Sequence, residues 1–158
     1  MEILNRPELP TGFRRLLFRL PVHLYRWRLG WLLGRRFLLV NHIGRVSGQP
    51  RQVVLEIVEH DPATGSCTVA SGFGAGADWY KNVRTTPEVT IRVGRHELPV
   101  TATPLPAADG EQVMVRYALR HPGTAKRLAR FMGFAVNGSE ADFRAVGARI
   151  PFVRFAPR

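Results

Sequence analysis

The chain has 158 residues, 45% of them apolar and 22% charged, which is the size and composition of one folded domain and excludes wholesale disorder. A lone Cys67, in a β-like setting that suits a small buried side chain, excludes a disulfide within one chain and fits a reducing compartment. The formal charge of +11 selects no partner by itself, because a positive potential attracts nucleic acid, anionic lipid and acidic cofactors alike.

That charge is uneven along the chain. Residues 1–36 carry eight arginines against Glu2 and Glu8, for a net +6; residues 37–110 are net −1; residues 111–158 are again net +6. Lys81 and Lys126 are the only lysines. No apolar run approaches the ~18 residues needed to span a bilayer, and no secretory leader pattern opens the sequence. The expectation is a cytoplasmic protein, with contact at the inner membrane face left open.

Taken in order, Phe13, Leu17, Leu20, Leu24, Trp27 and Trp31 recur every three or four residues, with Arg15, Arg19 and Arg26 off that stripe. The spacing predicts an amphipathic helix, kinked at Pro21, where a backbone donor is lost. Such a stripe packs on the body of a protein or, with Trp and Phe on one side and Arg on the other, on an anionic membrane surface; residues 13–31 leave both readings open.

From Phe37 the period changes to that of strands. Phe37–Ile43 reads as a buried strand, Gln52–Glu59 as a second and Cys67–Ser71 as a third, forming an antiparallel meander. The turn Gly44 to Arg51 between the first two holds two glycines, which allow positive φ and close backbone approach, and Arg45, Ser47 and Arg51 as charged and hydroxyl donors, a set that suits a phosphate or carboxylate. After the third strand, Gly72, Gly74 and Gly76 make a loop, and Asp78 is expected to cap a helix Trp79–Arg84 that stops before Pro87. The loop lacks G-x-G-x-x-G spacing and a parallel β-α-β context, so a Rossmann site is not supported.

Val89–Val93 and Glu97–Thr103 read as two more strands, Ala107–Arg120, Thr124–Met132 and Glu140–Ala145 as helices, and Ile150–Phe155 as a last strand. The fold class is α+β: a small antiparallel barrel with flanking helices. Residues 1–36 are read as a basic amphipathic segment and residues 37–158 as the barrel domain.

The inventory for side-chain catalysis is thin. His23, His42, His60, His96 and His121 stand singly, without metal-ligand spacing, and Ser47 is not in a G-x-S-x-G elbow. No catalytic side chain and no metal site is assigned, and a carried cofactor is the economical source of reactivity.

The order Gly44-Arg45-x-Ser47-Gly48-Gln49-Pro50-Arg51, Ala70-Ser71-Gly72 with its glycine loop, Trp79-Tyr80-x-Asn82 and Pro87 resembles the deazaflavin-dependent nitroreductase family, split β-barrel oxidoreductases that use reduced coenzyme F-420. The resemblance covers roughly residues 37–105. It implies that Arg45, Ser47, Gly48 and Arg51 hold the coenzyme's phosphate and oligoglutamate tail, and that Ala70, Ser71, Trp79, Tyr80 and Asn82 line the deazaflavin ring, with F-420 preferred over FMN. Many members carry a lysine after the first arginine and another in the glycine loop, where this chain has Val46 and Gly72, which implies a looser tail grip. The tyrosine-rich substrate segment of nitroimidazole-reducing members is absent; Arg130-Phe131-Met132-Gly133-Phe134 stands there instead.

The implied activity is hydride transfer from reduced F-420 to an apolar acceptor such as a quinone or nitro compound, with a homodimer left open. A lipid or flavin-like carrier on the same barrel is the alternative. A nucleic-acid binder comes third, since the basic residues lie outside the strand region and no nucleic-acid motif is present.

Overall fold

The computed structural model describes residues 1–3 and 36–158. The helix expected over Phe13–Trp31 and its kink at Pro21 lie outside the described residues. In chain order the elements are β1 (Glu2–Ile3), β2 (Phe37–Ile43), β3 (Pro50–His60), β4 (Cys67–Ala70), a 3-10 turn (Gly74–Gly76), α1 (Asp78–Thr85), β5 (Glu88–Val93), β6 (His96–Pro104), α2 (Ala107–Arg120), α3 (Pro122–Phe131), β7 (Phe134–Ala135), α4 (Glu140–Arg149) and β8 (Phe152–Pro157).

Six strands close into an antiparallel barrel in the order β2-β3-β4-β8-β6-β5, with β5 pairing back onto β2. The α+β barrel expected from the strand pattern is therefore present, and closure leaves the six strands no open edge. Alternation sets which side chains enter it. Leu38 and Val40 of β2 face Leu55 and Val53 of β3, and Val40 also faces Ile91 of β5. With Cys67, Val69, Val100, Val153 and Phe155 they form the interior, where each large side chain is worth roughly 1.5–3 kcal/mol of burial. Burial also pushes the Cys67 thiol above its ordinary range, so it serves as a small apolar group.

One end of the barrel is closed by α1. Trp79 and Val83 lie four residues apart on one face, and both enter the interior core beside Ala77. The N-cap is Ala77, not Asp78, because the 3-10 turn delivers an extended residue one position earlier; no side chain caps this helix. Asp78 instead occupies the first helical turn, where its charge complements the helix dipole, and it pairs with Arg45 at 3.3 Å.

A second core lies outside the barrel, between α2, α3 and α4 and the outer side of β8. It contains Val113, Met114, Tyr117, Ala129, Phe143, Val146 and Phe152. The crossing of α2 and α4 is set by Gly110 and Gly147: a Cβ on either would sit 2.5 Å from the other's carbonyl oxygen. This packing carries α4 to Arg149, beyond the expected stop at Ala145, until Ile150 turns extended before Pro151. The last strand accordingly starts at Phe152. Ser139 caps α4 through the Asp142 N–H at 3.2 Å. The short β1–β7 pairing, Ile3 against Phe134, was not legible in two-residue segments.

Helix α2 is fastened to β3 by polar contacts. Arg116 donates from Nε and Nη2 to the two Glu59 oxygens at 2.6 and 3.0 Å, a fork-to-fork pair. Tyr117 donates its hydroxyl to Glu56 at 3.3 Å; burial, reinforced by the Glu56 charge, pushes its pKa up to about 12, so it remains a donor.

Candidate active site

The turn between β2 and β3 is built by its own backbone. Gly44 N–H donates to Gln49 O at 2.9 Å, Gly48 N–H donates to Gly44 O at 2.8 Å, and Ser47 Oγ accepts from Gln49 N–H at 3.2 Å. Only Gly48 has positive φ, at 69°. Gly44 serves close approach instead, since a Cβ there would lie 2.5 Å from Ser47 Oγ. Val46 at the tip is 93% exposed. Arg51, on the first turn-side residues of β3, is exposed and has no ion pair among the described residues, and the N–H groups of Val46 and Ser47 make no hydrogen bond there.

What ties this turn to α1 is Asn82. Its Oδ1 accepts the Arg45 backbone N–H at 3.1 Å and Arg45 Nη1 at 2.9 Å, while its Nδ2 meets His42 Nδ1 at 3.1 Å. The Arg45 guanidinium also reaches Asp78 Oδ1 at 3.3 Å. Asn82 is 3% exposed and His42 4%. Because Arg45 presents only donors, the oxygen of Asn82 must face it, so the amide nitrogen faces His42. The imidazole then accepts at Nδ1 and carries its proton on Nε2. Burial foremost, and then the Arg51 charge, lowers the His42 pKa to about 4, against a smaller upward pull from Asp78.

On the loop side, Ser71 is fully buried; its N–H donates to Pro151 O at 2.8 Å and its Oγ to Gly74 O at 2.6 Å. Phe73 meets Phe131 edge-on at 5.5 Å, and Gly72 lies under that same Phe131 ring. A Cβ on Gly72 would come within 3.2 Å of it, so aromatic packing fills the space beside this glycine. Trp79 and Tyr80 are edge-to-face at 6.0 Å, with Arg84 over the Tyr80 ring at 5.6 Å.

The nine sequence-predicted residues thus divide by placement. Arg45, Ser47, Gly48 and Arg51 are presented on the turn; Ala70 and Tyr80 are half-buried; Ser71, Trp79 and Asn82 are buried. Arg45 and Asn82 are in contact. His42 was missed, although Leu38, Val40 and His42 alternate onto one face of β2, which places a histidine on an inward position beside the turn. The donor set of free guanidinium, hydroxyl and turn N–H groups suits an elongated polyanion, and the half-buried aromatic edge of α1 suits a flat ring.

The structure is thus a closed antiparallel barrel with outer helices and a donor-bearing turn between β2 and β3. The F420H(2)-dependent quinone reductase family matches residues 17–132, and the chain belongs to that family. It is an oxidoreductase whose cofactor is coenzyme F-420. Solved structures share the fold. An F420-H2 dependent reductase (FDR-A) is 23% identical, with TM-score 0.53 over 77% of this chain and 95% of that one. A chain described as a domain-swapped dimer is 21% identical, with TM-score 0.53 over 85% and 98%. An FMN-binding protein from Nostoc punctiforme, related to pyridoxamine 5'-phosphate oxidase, is 11% identical, with TM-score 0.53 over 94% and 83%. No curated protein matches the chain. Among the described residues no helix is long and apolar enough to cross a membrane.

Proposed function

We propose that the protein reduces a quinone-like apolar acceptor, binding F-420 with its anionic tail on the Gly44–Arg51 turn and its ring toward α1 and the glycine loop. The observation that carries this reading is the turn itself: anchored through Arg45 to Asn82, it leaves Arg51, Ser47 and Gly48 facing outward. Reduced F-420 supplies the hydride. The protein's share is to bind and orient. Arg51 and the turn N–H groups grip anionic groups, Ala70 and Tyr80 offer apolar surface to the ring, and the buried Ser71, Trp79 and Asn82 hold the walls in place. Arg45 contributes its remaining donors while committed to Asn82 and Asp78.

Residues 37–158 are the catalytic unit in this reading, and residues 1–36, with net charge +6, give access to acceptors at an anionic bilayer surface. A homodimer fits the same reading. Fluorescence titration with F-420, FMN and FAD tests the cofactor site: tight F-420 binding is the expected result, and tight FMN binding with none of F-420 overturns it. For the membrane reading, sedimentation of the full chain with anionic liposomes at low salt is expected, and its absence removes that role.

A further inference from the structure

We propose that His42 is a positioning residue for cofactor binding: as a neutral acceptor for Asn82, it holds the carboxamide whose oxygen anchors the Arg45 turn. The inference rests on the reading that this turn grips the anionic tail. Apart from the two strands that carry it, the turn's hydrogen bonds are internal, between Gly44 and Gln49, Gly48 and Gly44, and Gln49 and Ser47. Its link to α1 runs through Arg45, to Asn82 and to Asp78. The Asp78 side chain is 79% exposed, so that ion pair is screened, and the buried Asn82 bonds carry the constraint.

Asn82 can serve Arg45 only in one orientation. Rotating the carboxamide by half a turn would set its NH2 against two Arg45 donors, and the acceptor on His42 adds to the cost of that rotation by holding the NH2 where it is. An imidazole protonated at Nδ1 offers Asn82 a donor in place of an acceptor and favours the rotated amide. The charged groups around His42 act in the same sense. Arg51 faces it across the β2–β3 ladder and outweighs the single Asp78 carboxylate of α1, which favours the uncharged ring. A histidine with no assigned contact to the coenzyme therefore sets where the turn's donors point.

The test compares His42→Leu, which keeps bulk without an acceptor, with His42→Asn, whose Oδ1 reaches near the Nδ1 position. At pH 7.5, His42→Leu that is folded by circular dichroism should bind F-420 about tenfold more weakly, and His42→Asn within about threefold of the unaltered protein. In cofactor-free protein, hydrogen exchange at the Arg45 amide should accelerate in His42→Leu and stay slow in His42→Asn. A folded His42→Leu with unchanged affinity and unchanged Arg45 protection overturns the proposal. If His42→Leu does not fold, acidification decides. Arg45 protection lost with His42 protonation in the unaltered protein, and not in His42→Asn, supports the role; an identical acid limb in both overturns it. Absence of any F-420 binding would defeat the cofactor reading alone, since Arg45 exchange reports on His42 without the coenzyme.

Discussion

Asn82 and Arg45 are joined by two hydrogen bonds to one oxygen: Asn82 Oδ1 accepts the Arg45 backbone N–H at 3.1 Å and its Nη1 at 2.9 Å. A single buried carboxamide on α1 thereby positions both the main chain and the side chain of a residue on the β2–β3 turn. Removing it orphans a buried acceptor on His42 and two donors on Arg45. Asn82→Ala should cost about 2–3 kcal/mol of stability, a fall of roughly 5–10 °C in Tm for a chain of this size. Asp78→Ala, at the exposed end of the same network, should stay within about 0.5 kcal/mol. Thermal unfolding of the two variants side by side checks this, and equal losses would show that Asn82 does not carry the anchor.

Much of this arrangement was legible in the sequence, and its limits have physical causes. Strand alternation identified the meander and all six barrel strands to within two residues at each end, because Leu38, Val40, Val69, Val89, Ile91 and Val100 are interior residues on period-2 elements. The N-cap at Ala77 was not legible, since the 3-10 turn that produces it arises from Gly74 folding under Ser71 Oγ. Nor was the length of α4, which depends on Gly147 meeting Gly110 from a distant helix. The motif residues Ser71, Trp79 and Asn82 could be named, but not that all three are buried. Their role as supports follows from tertiary closure by α1. Alternation puts His42 on the inward face of β2, but its role was not legible because its partner Asn82 is 40 residues away.

Stability should depend on pH through His42. Its folded pKa of about 4 lies below the ordinary 6.5, so the unfolded chain binds the extra proton between those values. Stability is therefore full above pH 6.5 and declines as pH falls toward 4, by up to about 3 kcal/mol for this group. Urea midpoints at pH 7 and pH 4.5 should separate widely for the unaltered protein and less for His42→Asn, which has nothing to titrate. Parallel midpoints in the two proteins would mean that the imidazole is not held neutral.

The crossing of α2 and α4 offers a sharp contrast among glycines. Gly147→Ala would place a Cβ 2.5 Å from Gly110 O and 2.7 Å from Met114 Cβ, with rigid neighbours on both sides. A loss of about 3 kcal/mol or more is expected, against a helix-propensity gain of only about 1 kcal/mol. Gly123, in the first turn of α3, has open space where its Cβ would be and an ordinary φ. Gly123→Ala should stabilise by about 0.4–1 kcal/mol through the unfolded state. Chemical denaturation of both variants checks the sign of each.

Arg51 carries the last prediction. It follows the turn on β3, its Nε lies 3.8 Å from where a Gly44 Cβ would stand, and it has no ion pair among the described residues. Arg45, by contrast, is already committed to Asn82 and Asp78. If the turn grips an anionic tail, Arg51 is the cation with a whole guanidinium to offer, and the Val46 and Gly72 positions supply no lysine to share the load. Arg51→Ala should then cost about 1.5–3 kcal/mol of F-420 affinity, roughly 10- to 150-fold at low ionic strength. The deficit should shrink as salt is raised, because screening weakens what the unaltered protein had gained. Stability at neutral pH should change little, since Arg51 is exposed and its removal takes away the cation facing His42. Fluorescence titration at two salt concentrations, paired with a thermal melt, reads both effects. Unchanged affinity at low salt would return Arg51 to the solvated surface of the turn and move the tail elsewhere.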